Sequence, residues 1–179
     1  GAWSILLSRY SGERDVVFGA TVAGRPSDLP ASDKMIGIFI NTLPIRVKVN
    51  SDEPLLTWLK RLQQQQVEVR QYEYSPLVQV QGWSEVPRDL PLFESILIFE
   101  NYPVPRTTGK GRRSLKISHS DFYERLNYPL AIIAGVGTTL ELKVLYDQQR
   151  FPRSVVTRLL EHLKTVLERM ATQAEEPLT

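Results

Sequence analysis

Acid–base and nucleophilic chemistry need side chains that this sequence supplies sparingly. Its 179 residues include two histidines, His119 and His162, and no cysteine. The run Ser118-His119-Ser120-Asp121 gathers hydroxyl, imidazole and carboxylate groups in one short stretch. On a strand, however, successive side chains leave on opposite faces, so His119 and Asp121 share one face and the serines the other. That is not the arrangement of a hydrolytic triad, and a hydrated edge strand is the favoured reading. His162 falls in the polar arc beside an apolar helical stripe and reads as a solvated surface histidine. No catalytic residue is therefore assigned in this chain. With no thiolate and two distant imidazoles, no metal site is assigned either.

Binding chemistry is better represented. Arg106, Lys110, Arg112, Arg113 and Lys116 form the one basic cluster. A hydrated loop accounts for it, and attraction of an acidic protein or a phosphate is the functional alternative. Asn41 and Arg46 stand inside the apolar run Ile36-Gly37-Ile38-Phe39-Ile40-Asn41-Thr42-Leu43-Pro44-Ile45-Arg46. There an amide and a guanidinium need partners if they are buried. Arg46 reads as a brace between neighbouring strands or loops. In Gly24-Arg25-Pro26 the glycine and proline set a bend that presents a cation.

These residues have to be held by regular elements. A helix is expected over Ala2 to Tyr10, with only Gly1 where a capping side chain should stand and a stop at Ser11-Gly12. Val16 to Val22 reads as a strand, Gly24 to Lys34 as an ordered loop, and Ile36 to Val49 as a second extended region. Pro54 opens a helix whose Leu55, Trp58, Leu59 and Leu62 share one face and which reaches about Tyr74. Ser95 to Glu100 is an uninterrupted apolar run suited to a central strand. Residues 107–113 read as a polar loop; Leu115 to Phe122, Leu130 to Ala134 and Thr139 to Tyr146 read as strands, with the last hairpin turning at Gly135-Val136-Gly137. Pro152 begins a helix with Val156, Leu159, Leu160, Leu163, Val166, Leu167 and Met170 in one stripe. Such an order gives an α/β two-layer sandwich with a mixed β-sheet and helices mainly on one face. Residues 1–173 form the domain, and 174–179 begin a linker.

An apolar content of 42% over this length suits one globular domain with its own core. No run of about 18 apolar residues marks a membrane span. No secretory leader is present, so the cytoplasm is the default location and no membrane partner is expected. A net charge of +2 and the lack of interleaved aromatics give no argument for nucleic acid.

The stretch Ile36 to Arg46 resembles a signature of nonribosomal peptide synthetase condensation domains, Ile-Gly-x-Phe-Val-Asn-Thr followed by an arginine, with Ile40 in place of the valine. The flanks resemble the same family in order and spacing: Ser8 to Gly19 leading to Gly24-Arg25-Pro26, then Tyr72-Glu73-Tyr74-Ser75-Pro76-Leu77, Phe99-Glu100-Asn101-Tyr102-Pro103 and Asn127-Tyr128-Pro129-Leu130. The last block departs from the family's Arg-Asn-Pro-Leu form. The family's His-His-x-x-x-Asp-Gly motif is not in this sequence, so the chain resembles the C-terminal half of such a domain, its N-terminal lobe lying upstream.

The resemblance implies a chloramphenicol-acetyltransferase-like lobe, one of two arranged as a V around a tunnel. In the intact domain, donor and acceptor peptidyl carrier proteins would present acyl and aminoacyl groups on phosphopantetheine arms for amide formation, beside an adjacent adenylation domain. This segment itself would bind no cofactor. It implies that Gly24, Arg25, Asn41, Thr42 and Arg46 stand at the tunnel or lobe interface, with the Asn41 amide directed toward the channel. A floor loop would start near Gly24 and a latch would lie between Tyr102 and Asn127. Arg106, Lys110, Arg112 and Arg113 become carrier-docking candidates. A silent docking or scaffold module, and an epimerising or ester-forming relative, remain open alternatives.

Overall fold

A computed structural model of the chain describes residues 1–23, 30–100, 127–173 and 175–178. The first helix, α1 (Ala2–Ser11), has no side-chain cap at Gly1. It stops at Gly12, whose φ of 77° is a left-handed conformation that a residue with a Cβ resists, and whose N–H donates to the Ser8 carbonyl. Strand β1 (Asp15–Val22) then pairs antiparallel with β2 (Asn41–Lys48), from Asp15 opposite Lys48 to Val22 opposite Asn41. The extended region expected from Ile36 is thus a strand only from Asn41 onward. The ladder ends at the Val22–Asn41 pair, and Ile36 and Ile38 are 103% and 94% exposed.

Helix α2 (Leu55–Val69) follows Pro54, whose fixed φ suits a helix start, and turns its buried Leu55, Trp58 and Leu62 inward. A tighter turn over Arg70–Tyr72 ends it close to the expected limit. Helix α3 (Leu77–Trp83) was not expected: it buries none of its residues and so carries no apolar stripe to read. Strands β3 (Ser95–Glu100), β4 (Leu130–Val136) and β5 (Leu140–Tyr146) precede the closing helix α4 (Arg153–Thr172). Pairing of β4 with β5 continues to Val136 opposite Leu140, so the hairpin turns at residues 137–139 and not across Gly135 to Gly137. The candidate strand over Leu115 to Phe122 and the loop over 107–113 lie outside the described residues.

The described strands form one mixed sheet in the order β2-β1-β3-β4-β5. As expected, β3 is central, running parallel to both β1 and β4, while β2 and β5 are antiparallel. Its coverage is partial: Ser95 and Ile96 are buried, but Phe99 is 58% exposed.

Alternation along the strands divides the sheet into two faces. Val16 and Phe18 of β1, Ile45 and Val47 of β2, and Leu130 and Ile132 of β4 share a core with Trp3 of α1, Trp58 of α2 and Leu159 of α4. The two indoles keep hydrogen-bond partners there: Trp58 Nε1 donates to the Lys48 carbonyl at 3.0 Å and Trp3 Nε1 to Ser95 Oγ at 3.3 Å. The stretch read as linker lies against this core. Leu178 is buried within it, the Glu176 carbonyl accepts the Leu55 N–H, Pro177 bridges Pro54, and Arg9 Nη2 donates to the Leu178 carbonyl.

On the opposite face, Gly19 leaves the space that Phe93 fills: a Cβ built there would stand 2.4 Å from Phe93 Cε2. Gly19→Ala should therefore destabilise the chain by about 1–3 kcal/mol through overpacking. Denaturant unfolding of Gly19→Ala in the native and Phe93→Leu backgrounds checks this. The cost is expected to shrink in the Phe93→Leu background, and an equal cost in both would rule out the steric account.

Candidate functional site

Asn41 and Thr42 are neighbours at the start of β2, so their side chains leave on opposite faces. Asn41 shares a face with Leu43, Ile45 and Val47, the helix-covered side. There its Nδ2 donates to the carbonyls of Glu73 at 2.8 Å and Ser75 at 2.7 Å, while its Oδ1 accepts the Thr42 N–H at 2.9 Å. Both amide hydrogens are thus engaged with the chain's own backbone, in place of the channel-directed amide expected from the sequence. The contact ties β2 to the connection between α2 and α3 and satisfies two carbonyls, one of them in buried Ser75.

Thr42 leaves on the face of Gly19 and Phe93. It stands beside Tyr128, whose ring stacks on Phe93 with centroids 5.4 Å apart and planes 24° apart. Burial raises the Tyr128 phenol above its ordinary pKa, partly offset by the nearby Thr42 hydroxyl, so the phenol keeps its proton at neutral pH. The sequence drew notice to Tyr128 only as part of its block. Phe93 carried no signal, because what places it is the missing side chain at Gly19, far away on β1.

Arg46 is a brace. Its Nε and Nη2 donate to the Asp15 carboxylate at 2.9 and 2.8 Å, joining β2 to β1. Hydrogen bonding by Arg46, before its charge, holds the Asp15 carboxyl below the usual range. The pair is open to water, 68% and 36% exposed, so it orients the strands and adds little stability. His162 is exposed, and its Nδ1 shares a hydrogen bond of 3.0 Å with the Tyr10 hydroxyl. Gly24, Arg25, Arg106, Lys110, Arg112, Arg113 and the run Ser118 to Asp121 lie outside the described residues. Among the described residues, no three histidine or carboxylate side chains cluster as metal ligands would. No described helix is long and apolar enough to cross a membrane.

Asn41→Ala should cost about 1–3 kcal/mol, the penalty of leaving buried partners unpaired. Asn41→Asp should cost more at neutral pH, because an ionised carboxylate faces two carbonyl oxygens. Its pKa is then raised by folding, so stability is recovered as pH falls and the acid regains a hydrogen to donate. Denaturant midpoints at neutral and mildly acidic pH check the sign. A deficit that grows on acidification would show that the amide is not held as described.

The family model for the Condensation domain matches residues 1–179. One of the linear gramicidin synthase proteins of Brevibacillus parabrevis is 51% identical over 176 residues, which cover 98% of this chain and 3% of that protein. A solved structure described as CT superposes with a TM-score of 0.83 at 23% identity, over 99% of this chain and 41% of the other. The starter condensation domain of rhizomide synthetase RzmA superposes with a TM-score of 0.69 at 16% identity, again over 99% and 41%. Both structural likenesses show the shared α/β fold, with the chain spanning less than half of each solved chain. Matched along its whole length, this chain belongs to the condensation-domain family of nonribosomal peptide synthetases.

Proposed function

We propose that the chain is the C-terminal lobe of a condensation domain that joins a carrier-bound acyl or peptidyl donor to a carrier-bound aminoacyl acceptor in the assembly of a peptide antibiotic or related metabolite. The observation that carries this reading is the family match over residues 1–179 in a chain that spans 41% of a solved starter condensation domain, the share that suits one lobe of two. The acceptor amine attacks the donor thioester carbonyl, a C–N bond forms, the C–S bond breaks, and the pantetheine thiol leaves with a proton. Most of the rate comes from holding two tethered reactants in attack geometry. The proton is managed by the histidine of the first lobe, since this sequence holds no His-His pair.

This lobe then supplies tunnel wall, a floor loop from Gly24 and a latch within residues 102–127. Its partners are the first lobe, the donor and acceptor carrier proteins and the neighbouring adenylation domain, in the cytoplasm. The basic residues Arg106 to Arg113 are offered to the carriers. Phosphopantetheine arrives on the carriers' arms. Exposure of Ile36, Ile38 and Ile40 within one short stretch supports the floor-loop reading, because a grouped apolar patch open to water marks a surface that another surface covers.

Two measurements test this. Incubated with loaded donor and acceptor carriers, the 179-residue chain should form no more amide than the carriers alone, whereas the intact two-lobe domain should form it rapidly. Product from the lone chain would return the chemistry to this half. In addition, the lone chain should self-associate, and Ile36→Ser with Ile38→Ser should reduce association by sedimentation. An unmodified chain that stays monomeric at high concentration would count against the apolar segment as a covered surface.

A further inference from the structure

We infer that helix α2 closes the outer edge of β2, so that the sheet cannot be extended there by the β2 of a second copy of this chain. The inference rests on the hydrogen bonding of that edge and is independent of the part the chain plays in amide formation.

A strand at the edge of a sheet offers unpaired N–H and C=O groups to any other strand, and β2 is such an edge among the described strands. Which groups it offers follows from its ladder with β1. The Val49 N–H donates to the Arg14 carbonyl at 2.7 Å, one position beyond the Asp15–Lys48 pair. Bonded and non-bonded pairs alternate in an antiparallel ladder. Val47, Ile45, Leu43 and Asn41 therefore direct their backbone groups to β1, while Lys48, Arg46, Pro44 and Thr42 turn theirs outward.

Each of these four outward positions has lost one of its two groups. The Lys48 carbonyl accepts Trp58 Nε1 at 3.0 Å, and the Arg46 carbonyl accepts Gln65 Nε2 at 2.8 Å. Trp58 and Gln65 stand about two turns apart on α2, so one side of the helix reaches alternate carbonyls of the strand. Pro44 has no N–H to offer. The Thr42 N–H donates to Asn41 Oδ1 at 2.9 Å.

A second copy would meet this edge antiparallel, about a two-fold axis, with the same losses on its own strand. The register that keeps the most bonds sets Arg46 against Pro44 of the second copy and Lys48 against its Thr42. There each capped carbonyl faces a position with no free N–H, so half of the ladder is missing. Every other antiparallel register of the outward positions loses a larger share. Opening one group alone gains nothing in the best register: an N–H at position 44 would face a carbonyl still held by Gln65, and a freed Arg46 carbonyl would face a proline. Opening both restores two bonds in the symmetric pair.

The test uses the intact condensation domain. Pro44→Val supplies a strand N–H, and Gln65→Met keeps the side-chain length without the donor. Sedimentation over a concentration series should show self-association unchanged in either single variant and strengthened about 10-fold or more in the double variant, the effect of two net hydrogen bonds. Amide exchange over residues 42–48 should slow in the associated form. Pro44→Val with Gln65→Lys, which returns a donor to the Arg46 carbonyl, should associate no more than the unmodified domain. If the first double variant fails to fold, Pro44→Thr with Gln65→Ala opens the same two groups. A folded double variant that associates no more than the unmodified domain, or that associates with exchange over 42–48 unchanged, would overturn the inference. So would either single variant associating as strongly as the double.

Discussion

A strand cannot put two adjacent side chains on one face, and this constraint decides most of what the sheet presents. Burial of Val16, Phe18, Ile45, Val47, Leu130 and Ile132 under the helices fixes the register of β1, β2 and β4. Slipping any of these strands by one residue would expose an entire apolar set to water. Once that register is set, Asn41 must point toward the helices and Thr42 away from them. The two adjacent polar positions at the start of β2 are thereby given unlike tasks: one ties elements together, the other faces outward from the layer.

The sequence blocks that stood apart along the chain meet through these side chains. Asn41 bonds the carbonyls of Glu73 and Ser75, and Thr42 stands near Tyr128, so three blocks separated by many residues lie together at the end of β2. Their spacing is explained by physical contact at the end of β2.

Strongly periodic segments were legible in the sequence. The stripe from Val156 to Met170 marked α4, the leucine face marked α2, and the apolar run at Ser95 marked the central strand. Segments lacking a buried face were not, and α3 is the example, helical after Pro76 with nothing buried. The limits of β2 depended on where β1 ends, a fact about a partner strand that local composition does not carry. The orientation of Asn41 had the same origin. Its residue type announced a need for partners, but which face it took was settled only by the register with β1.

The fold-back of residues 175–178 has a mechanical consequence. Tension applied at Leu178 would not first unwind α4. Because the segment is clipped by the Pro54–Pro177 bridge, by the Glu176 carbonyl on the Leu55 N–H and by Arg9 on the Leu178 carbonyl, the load passes sideways into the first turn of α2 and the far end of α1. The apolar Leu178 side chain acts as the anchor of that clip. The C-terminal segment is thus held to the chain through its helical layer.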